Sequence, residues 1–248
     1  MIDIFELNNK HILVTGASSG IGKETAILLS KLGARVSLVA RRADALKETI
    51  NEMVGEGNYW YSCDISNTEN ISNLVTEIVG TSGEIDGFIH CAGIGTNLPV
   101  SITKNDAIVS LMSTNFYSFV EFIRLLSKKK NSNNGASFVG VSSVASLKGD
   151  KSQGAYAASK AAMNAYIHPA AKELSVRGIR VNTVAFGMIK TDAYDKYLES
   201  GGQDSALTNQ YLGYGEPIDA ANLLVFMVSN ASRLITGTTV VCDGGYIS

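Results

Sequence analysis

The chain has 248 residues, 45% of them hydrophobic, which is enough to bury a sizeable core and places it at the upper end of a single domain. Its 21 basic and 23 acidic residues leave a formal net charge of −2, which excludes the electrostatic footprint of a nucleic-acid binder or of a protein held on an anionic membrane. An acidic N-terminus and the lack of any apolar run of membrane-spanning length give the expectation of a soluble, cytoplasmic protein. Cys63, Cys91 and Cys242 form no close pair, so they read as small apolar residues in a reducing compartment.

Residues 11–14 are a short apolar run that stops at Thr15-Gly16-Ala17-Ser18-Ser19-Gly20-Ile21-Gly22, and a helical pattern follows over 21–32. Strand, glycine-rich turn and helix in that order is the context of a dinucleotide fingerprint. Gly16 permits the tight turn, Gly20 lets backbone approach a pyrophosphate, and Gly22 lets the helix pack close, with Ser18, Ser19 and Ile21 between them and free amides facing the anion. The next strand, 35–40, ends in Arg41 and Arg42. A site for NAD wants an acid there to accept from a ribose hydroxyl, whereas cations suit a 2′-phosphate, so NADP is expected in preference to NAD, with Arg41 as its contact and Asp44 as the alternative ribose ligand.

A helix over about 44–54 leads to a strand at 58–63 and then to Asp64 and Ile65. Asp64 can accept from an adenine amino group or cap the helix that starts near Asn67. The strand at 85–91 runs into Ala92-Gly93, a small-residue turn against which a ribose can lie. His90 reads as a packed strand residue, and no second His or carboxylate at metal spacing accompanies it, so no metal is expected. A long helix over about 104–130 carries Asn115 in its middle and ends in a loop at 131–135. The strand at 136–141 delivers Ser142 and Ser143. The next helix lasts to about 177 with Pro169 inside it, where a kink or a cost of about 3 kcal/mol is expected. A strand at 178–185 precedes a tyrosine-rich segment, 187–216, that contains Gly201-Gly202 and is long enough to be a substrate lid. A helix over 217–229 and a strand at 238–242 complete the chain before Asp243-Gly244-Gly245. Seven strands alternating with helices predict an α/β fold, one doubly wound parallel sheet with helices on both faces.

Tyr156 and Lys160 stand four apart at the start of a helix and so share one face. A neighbouring ammonium favours the phenolate, so the tyrosine pKa is expected to fall by about 1–3 units, which would let Tyr156 exchange a proton with a carbonyl or alcohol while Ser143 hydrogen-bonds the same oxygen.

Taken together, the glycine turn with three residues between its first two glycines, Asn115, Ser143, Tyr156, Lys160 and the Asp243-Gly244-Gly245 ending resemble the short-chain dehydrogenase/reductase family over nearly the whole chain. The resemblance implies a catalytic tetrad: Asn115 holding a relay water, Ser143 polarising the substrate oxygen, Tyr156 as acid/base and Lys160 on the nicotinamide ribose. It places Thr191 and the backbone of Ile189 near the carboxamide. The Asn115-to-Tyr156 spacing resembles that of bacterial 3-oxoacyl carrier-protein reductases, which implies a small carbonyl substrate carried on coenzyme A or a carrier protein. A sugar, polyol or other small ketone is the alternative, and a cofactor-binding scaffold without catalysis is a reading of another class. Homodimers or homotetramers are implied too. Two positions depart from the family pattern: His90-Cys91 stands where Asn-Asn is usual, and Phe186 where Pro is.

Overall fold

The apolar run at residues 11–14 has no polar alternation because both faces of its strand are covered. In the computed structural model, which describes residues 5, 7–199 and 209–248, β1 (His11–Thr15) sits third of seven strands, with Leu13 in one core and Ile12 and Val14 in the other. The sheet order is β3-β2-β1-β4-β5-β6-β7 and every pairing is parallel. The other strands are β2 (Arg35–Ala40), β3 (Tyr59–Ser62), β4 (Ile85–His90), β5 (Ser132–Ser143), β6 (Arg180–Phe186) and β7 (Thr239–Cys242). On one face pack α3 (Glu69–Ser82), α5 (Ser118–Leu126) and α6 (Gly154–Leu174), around Phe88, Phe119, Phe122 and Phe138. On the other pack α1 (Gly20–Lys31), α2 (Ala43–Asn51) and α8 (Pro217–Val228). Strand order reverses between β1 and β4, so their carboxyl ends open a crevice at the point where doubly wound sheets bind ligands.

Two segments differ from their sequence reading. The helix expected over 104–130 is α4 (Asn105–Leu111), a π-helical turn (Met112–Tyr117) that contains Asn115, and α5. A π turn adds one residue to the winding and rotates the helix beyond it, a device common at functional sites. The loop expected at 131–135 is largely strand: Ile85 pairs with Ser132 and Gly87 with Ser137, and the irregularity between them absorbs the polar Asn133-Asn134-Gly135 run. As expected, Pro169 lies inside α6, which continues to Leu174. It removes one bond from a 21-residue helix anchored on both sides of it by Met163, Ile167, Ala170 and Ala171 in the core. The segment at 187–216 carries α7 (Asp192–Glu199), while Gly201-Gly202 lies outside the described residues. Among the described residues no helix is long and apolar enough to cross a membrane.

The three cysteines are free and partly buried. Burial raises each thiol, Cys91 to about 12.

His11 and His90 are both fully buried. His11 bridges Gly83 O (3.0 Å) and Ser37 Oγ (2.8 Å) across the sheet. Burial lowers both imidazoles, His90 to about 3, with the Lys160 cation adding to the effect there. A lowered folded-state pKa means the unfolded chain binds more protons below about pH 6.5, so stability is complete above that pH and drains away as pH falls toward 3. At pH 4 the loss from His90 alone is about 3 kcal/mol, a large part of a typical domain's total. Urea midpoints measured from pH 7 to pH 4 should fall steeply, and His90→Asn should flatten the slope.

Candidate active site

The glycine turn between β1 and α1 is shaped by steric exclusion. Gly16 has φ +70°, and a Cβ there would lie 2.7 Å from the Ala92 amide nitrogen; at Gly22 a Cβ would run into the carbonyl of Gly16 itself. Only glycine lets the end of β1, the end of β4 and the start of α1 meet this closely. Ser19 is the N-cap residue of α1 but makes no side-chain cap, and the first turn holds no acid, so the leading amides are left to an anion. Across the crevice Thr191 packs its methyl against Gly20, 3.1 Å from where a Cβ would stand. Thr191 also accepts from the Tyr194 amide (3.3 Å) at the start of α7, and Ile189 is buried and bridged to Gly215. The turn expected to hold a pyrophosphate and the segment expected to hold a carboxamide are thus brought together.

Arg41 and Arg42 follow β2, and the two behave differently. Arg41 is exposed and its charge helps lower the Asp64 carboxyl. Arg42 reaches back to the glycine turn, donating from Nη2 to Ser18 O (3.3 Å) and Oγ (3.4 Å). Arg42 was not among the expected contacts, although the paired cations were the signal for it. Asp64 follows β3 with one oxygen committed to Ser66 N (3.0 Å) and Oγ (2.7 Å), which chiefly lowers its pKa. It closes its own local turn; the cap at the start of α3 is made by Asn67 Oδ1 with the Glu69 amide (3.1 Å). Ile65 is buried beneath it.

Ser143 is the last residue of β5 and accepts from the Ala145 amide (3.2 Å). The turn after it is tied to α6 by Asn164 donating to Ser146 Oγ (2.8 Å). Tyr156 lies in the first turn of α6, its phenol near enough to the Ser143 side chain for that hydroxyl to lower its pKa. One turn on, Lys160 is 3% exposed, donates to Val141 O (2.8 Å) and holds Nζ 6.0 Å from the Tyr156 ring centre. Asn115, buried in the π turn, exchanges two bonds with Ile94 (Ile94 N to Oδ1 2.8 Å; Nδ2 to Ile94 O 3.0 Å). It gives its other amide hydrogen to Ser159 Oγ (2.9 Å), which in turn donates to Tyr156 O (2.7 Å). Both Asn115 amide hydrogens are spent, so it offers a water only acceptor oxygens. Gly93 fills the space between: a Cβ there would stand 3.1 Å from Lys160 Nζ and 3.3 Å from Asn115 Oδ1.

The electrostatics reverse one expectation. Burial raises the Tyr156 phenol above 10, with the Ser143 hydrogen bond partly offsetting it, and burial lowers Lys160 to about 8. Desolvation outweighs the attraction between two groups whose ammonium is held toward a carbonyl. Tyr156 is therefore a protonated acid at neutral pH. Lys160 at pH 7 is still roughly nine-tenths cationic.

Beside Ser143 lies a small cavity lined by Lys148, Asp150, Gln153, Met188 and Tyr246. Tyr246 donates to Asp150 (2.6 Å), so the tail after β7 walls the space, and Gln153 donates to Tyr197 (3.3 Å), which ties α7 to its rim. Nothing in the local sequence pattern marked Tyr246, whose partner is 96 residues away.

The cradle, the free amides and the space at Gly93 fit a nicotinamide dinucleotide. A family model described as Enoyl-(Acyl carrier protein) reductase matches residues 16–247. Carbonyl reductase family member 4 of Danio rerio is 32% identical over 94% of this chain and 96% of its own length. A 3-oxoacyl-[acyl-carrier-protein] reductase FabG of Rickettsia bellii is 33% identical over 98% and 99%. A short-chain type dehydrogenase/reductase from Mycobacterium ulcerans superposes with a TM-score of 0.88 at 29% identity, covering 97% of this chain and 90% of its own. With glycine cradle, buried lysine and fold in agreement with these relatives, the chain belongs to the short-chain dehydrogenase/reductase family and is an NAD(P)-dependent oxidoreductase of it.

Proposed function

We propose that the protein is an NADP(H)-dependent carbonyl reductase in which Tyr156 is the proton donor. The observation that carries the reading is the convergence of Ser143, Tyr156 and Lys160 at the carboxyl edge of the sheet, beside a glycine cradle. When bound, a nicotinamide dinucleotide would supply the hydride that the carbonyl carbon takes up. Ser143 Oγ hydrogen-bonds the carbonyl oxygen and orients it toward the Tyr156 hydroxyl. The phenol, kept protonated by burial, gives up its proton as the alkoxide forms. The Lys160 cation then stabilises the phenolate left behind, and it would hold the nicotinamide ribose. Asn115 supplies acceptor oxygens for a water that returns the proton from solvent, and its clasp on Ile94 holds the β4 turn in place.

The substrate class we favour is the 3-oxoacyl thioester, supported by the FabG relatives. A compact polar ketone is the second reading, favoured by the Lys148, Asp150 and Gln153 wall of the cavity and by the carbonyl reductase relatives. Purified protein assayed with NADPH against acetoacetyl-coenzyme A and a panel of small ketones and sugars tests both. Turnover of the thioester at least tenfold more efficient than of any free ketone supports the first, and the reverse order the second. Tight cofactor binding with no turnover of any carbonyl means a scaffold.

For the phosphorylated cofactor, Arg41 is exposed after β2 and Arg42 is hinged to the turn that faces the pyrophosphate. Arg41→Ala should weaken NADPH binding by about tenfold or more, in line with loss of a charge-assisted bond, and leave NADH binding unchanged. Equal loss for both cofactors would remove the preference for NADP. Segment 187–216 is the substrate lid of this reading. Ile108, Val109 and Tyr117, exposed along α4 and the π turn, supply an apolar face for a homodimer or homotetramer. The reaction is placed in the cytoplasm.

A further inference from the structure

His90 lies in the strand that ends at the nicotinamide side of the crevice, and its two ring nitrogens are engaged in opposite directions. Nε2 lies 3.3 Å from Ser118 Oγ, and Ser118 spends its single hydrogen on Thr114 O at 2.6 Å. Ser118 can therefore only accept from the ring, so Nε2 carries the proton. The Thr114 carbonyl, itself against the ring, favours a proton at the same place. On the other side Nδ1 lies 3.0 Å from Thr15 Oγ1, which receives the Ala92 amide at 3.3 Å and so has its own hydrogen free for Nδ1. The chain of donors runs one way, from the Ala92 amide through Thr15, His90 and Ser118 to Thr114 O. Burial and the nearby Lys160 cation both oppose a second proton on the ring, which keeps this tautomer neutral at physiological pH.

The chain closes a ring. Thr114 is the residue before Asn115, Asn115 clasps Ile94 through two hydrogen bonds, and Ile94 is two residues from Ala92 where the chain began. Inside that ring stands Gly93, the residue against which Lys160 Nζ and Asn115 Oδ1 are set. We propose that His90 is a positioning residue for the reaction: as the neutral Nε2–H tautomer it locks the turn after β4 to the π turn, and so sets where Asn115 and Lys160 sit relative to the reacting groups. Two arms join these segments, Asn115–Ile94 and the His90 chain. Without the second, the turn after β4 is held to the π turn through Asn115 alone. The inference rests on the tetrad reading above.

The test separates positioning from packing. His90→Phe keeps ring volume among Phe88, Phe119 and Phe122, whose centres lie 5.0–6.4 Å from one another or from the imidazole, and removes both hydrogen bonds. With the carbonyl that the wild type reduces best, kcat per bound cofactor should fall at least tenfold, with KM and cofactor affinity within threefold. Ser118→Ala breaks only one link of the His90 chain and should lower kcat about fivefold. The double variant should be no slower than His90→Phe alone, since the two residues act through one chain. Nitrogen-15 shifts of the wild-type ring at pH 7 should report the Nε2–H tautomer, a readout independent of activity. Wild-type kcat in a folded His90→Phe or Ser118→Ala protein, additive losses in the double variant, or an Nδ1–H or doubly protonated ring would each overturn the proposal. If His90→Phe does not fold, Ser118→Ala and the ring tautomer decide it. A wild type inert toward every carbonyl defeats the reading of the tetrad instead, and leaves the tautomer to be judged alone.

Discussion

Lys160→Met is expected to make the protein more stable and catalytically silent. The amine is 3% exposed, and burial lowers it from 10.5 to about 8. Its folded-state pKa is below its unfolded one, so at neutral pH both states are protonated and the whole desolvation cost weighs on the fold, on the order of 3 kcal/mol. Methionine has a similar reach and no charge. Its introduction leaves Val141 O without the lysine donor, a loss of about 1 kcal/mol, so a net gain of about 2 kcal/mol remains. The sign can be checked by pH. As pH rises from 8 to 10.5 the folded lysine becomes neutral before the unfolded one does, the cost disappears, and the advantage of methionine should vanish. Urea unfolding at pH 7 and pH 10 measures this directly, and a variant less stable than wild type at pH 7 would contradict the account. Turnover should drop by about 10²–10³, because the cation that stabilises a forming phenolate is gone. Spending stability on an unfavourably buried charge is what a working site does and what a retired one has no reason to keep.

The parts of this protein that could be read in the sequence are those encoded over short spans. The glycine turn is eight consecutive residues whose backbone demands are local, and Tyr156 and Lys160 are four apart on one helix. Strand-helix alternation pointed to the sheet, because a parallel strand buried on both faces must be apolar throughout, as residues 12–14 are. What escaped depends on contacts far apart in the chain. His90 looked like a packed strand residue, yet its partners are 75 and 28 residues away, and only their placement reveals a polarised chain of donors. The π turn was invisible because an amphipathic pattern over 104–126 tolerates one extra residue of winding. The direction of the Tyr156 shift was misjudged for the same kind of reason. Helical spacing puts an ammonium near a phenol, but how deeply both are buried and where the ammonium points are decided by β5 and its Val141 carbonyl.

Tyr156→Phe carries the largest expected effect. In the proposed mechanism the hydroxyl gives its proton to a substrate oxygen oriented by Ser143, and general acid catalysis of this kind is worth about 10²–10⁴ in rate. Removing one oxygen leaves the ring, the Lys160–Val141 bond and the glycine cradle intact, so folding and cofactor binding should hold. The decisive measurement is kcat for carbonyl reduction by Tyr156→Phe, made beside a cofactor-binding titration of the same sample. Turnover at least a hundredfold below wild type with cofactor affinity within threefold is the predicted result; turnover within a factor of three of wild type would show that the proton comes from elsewhere.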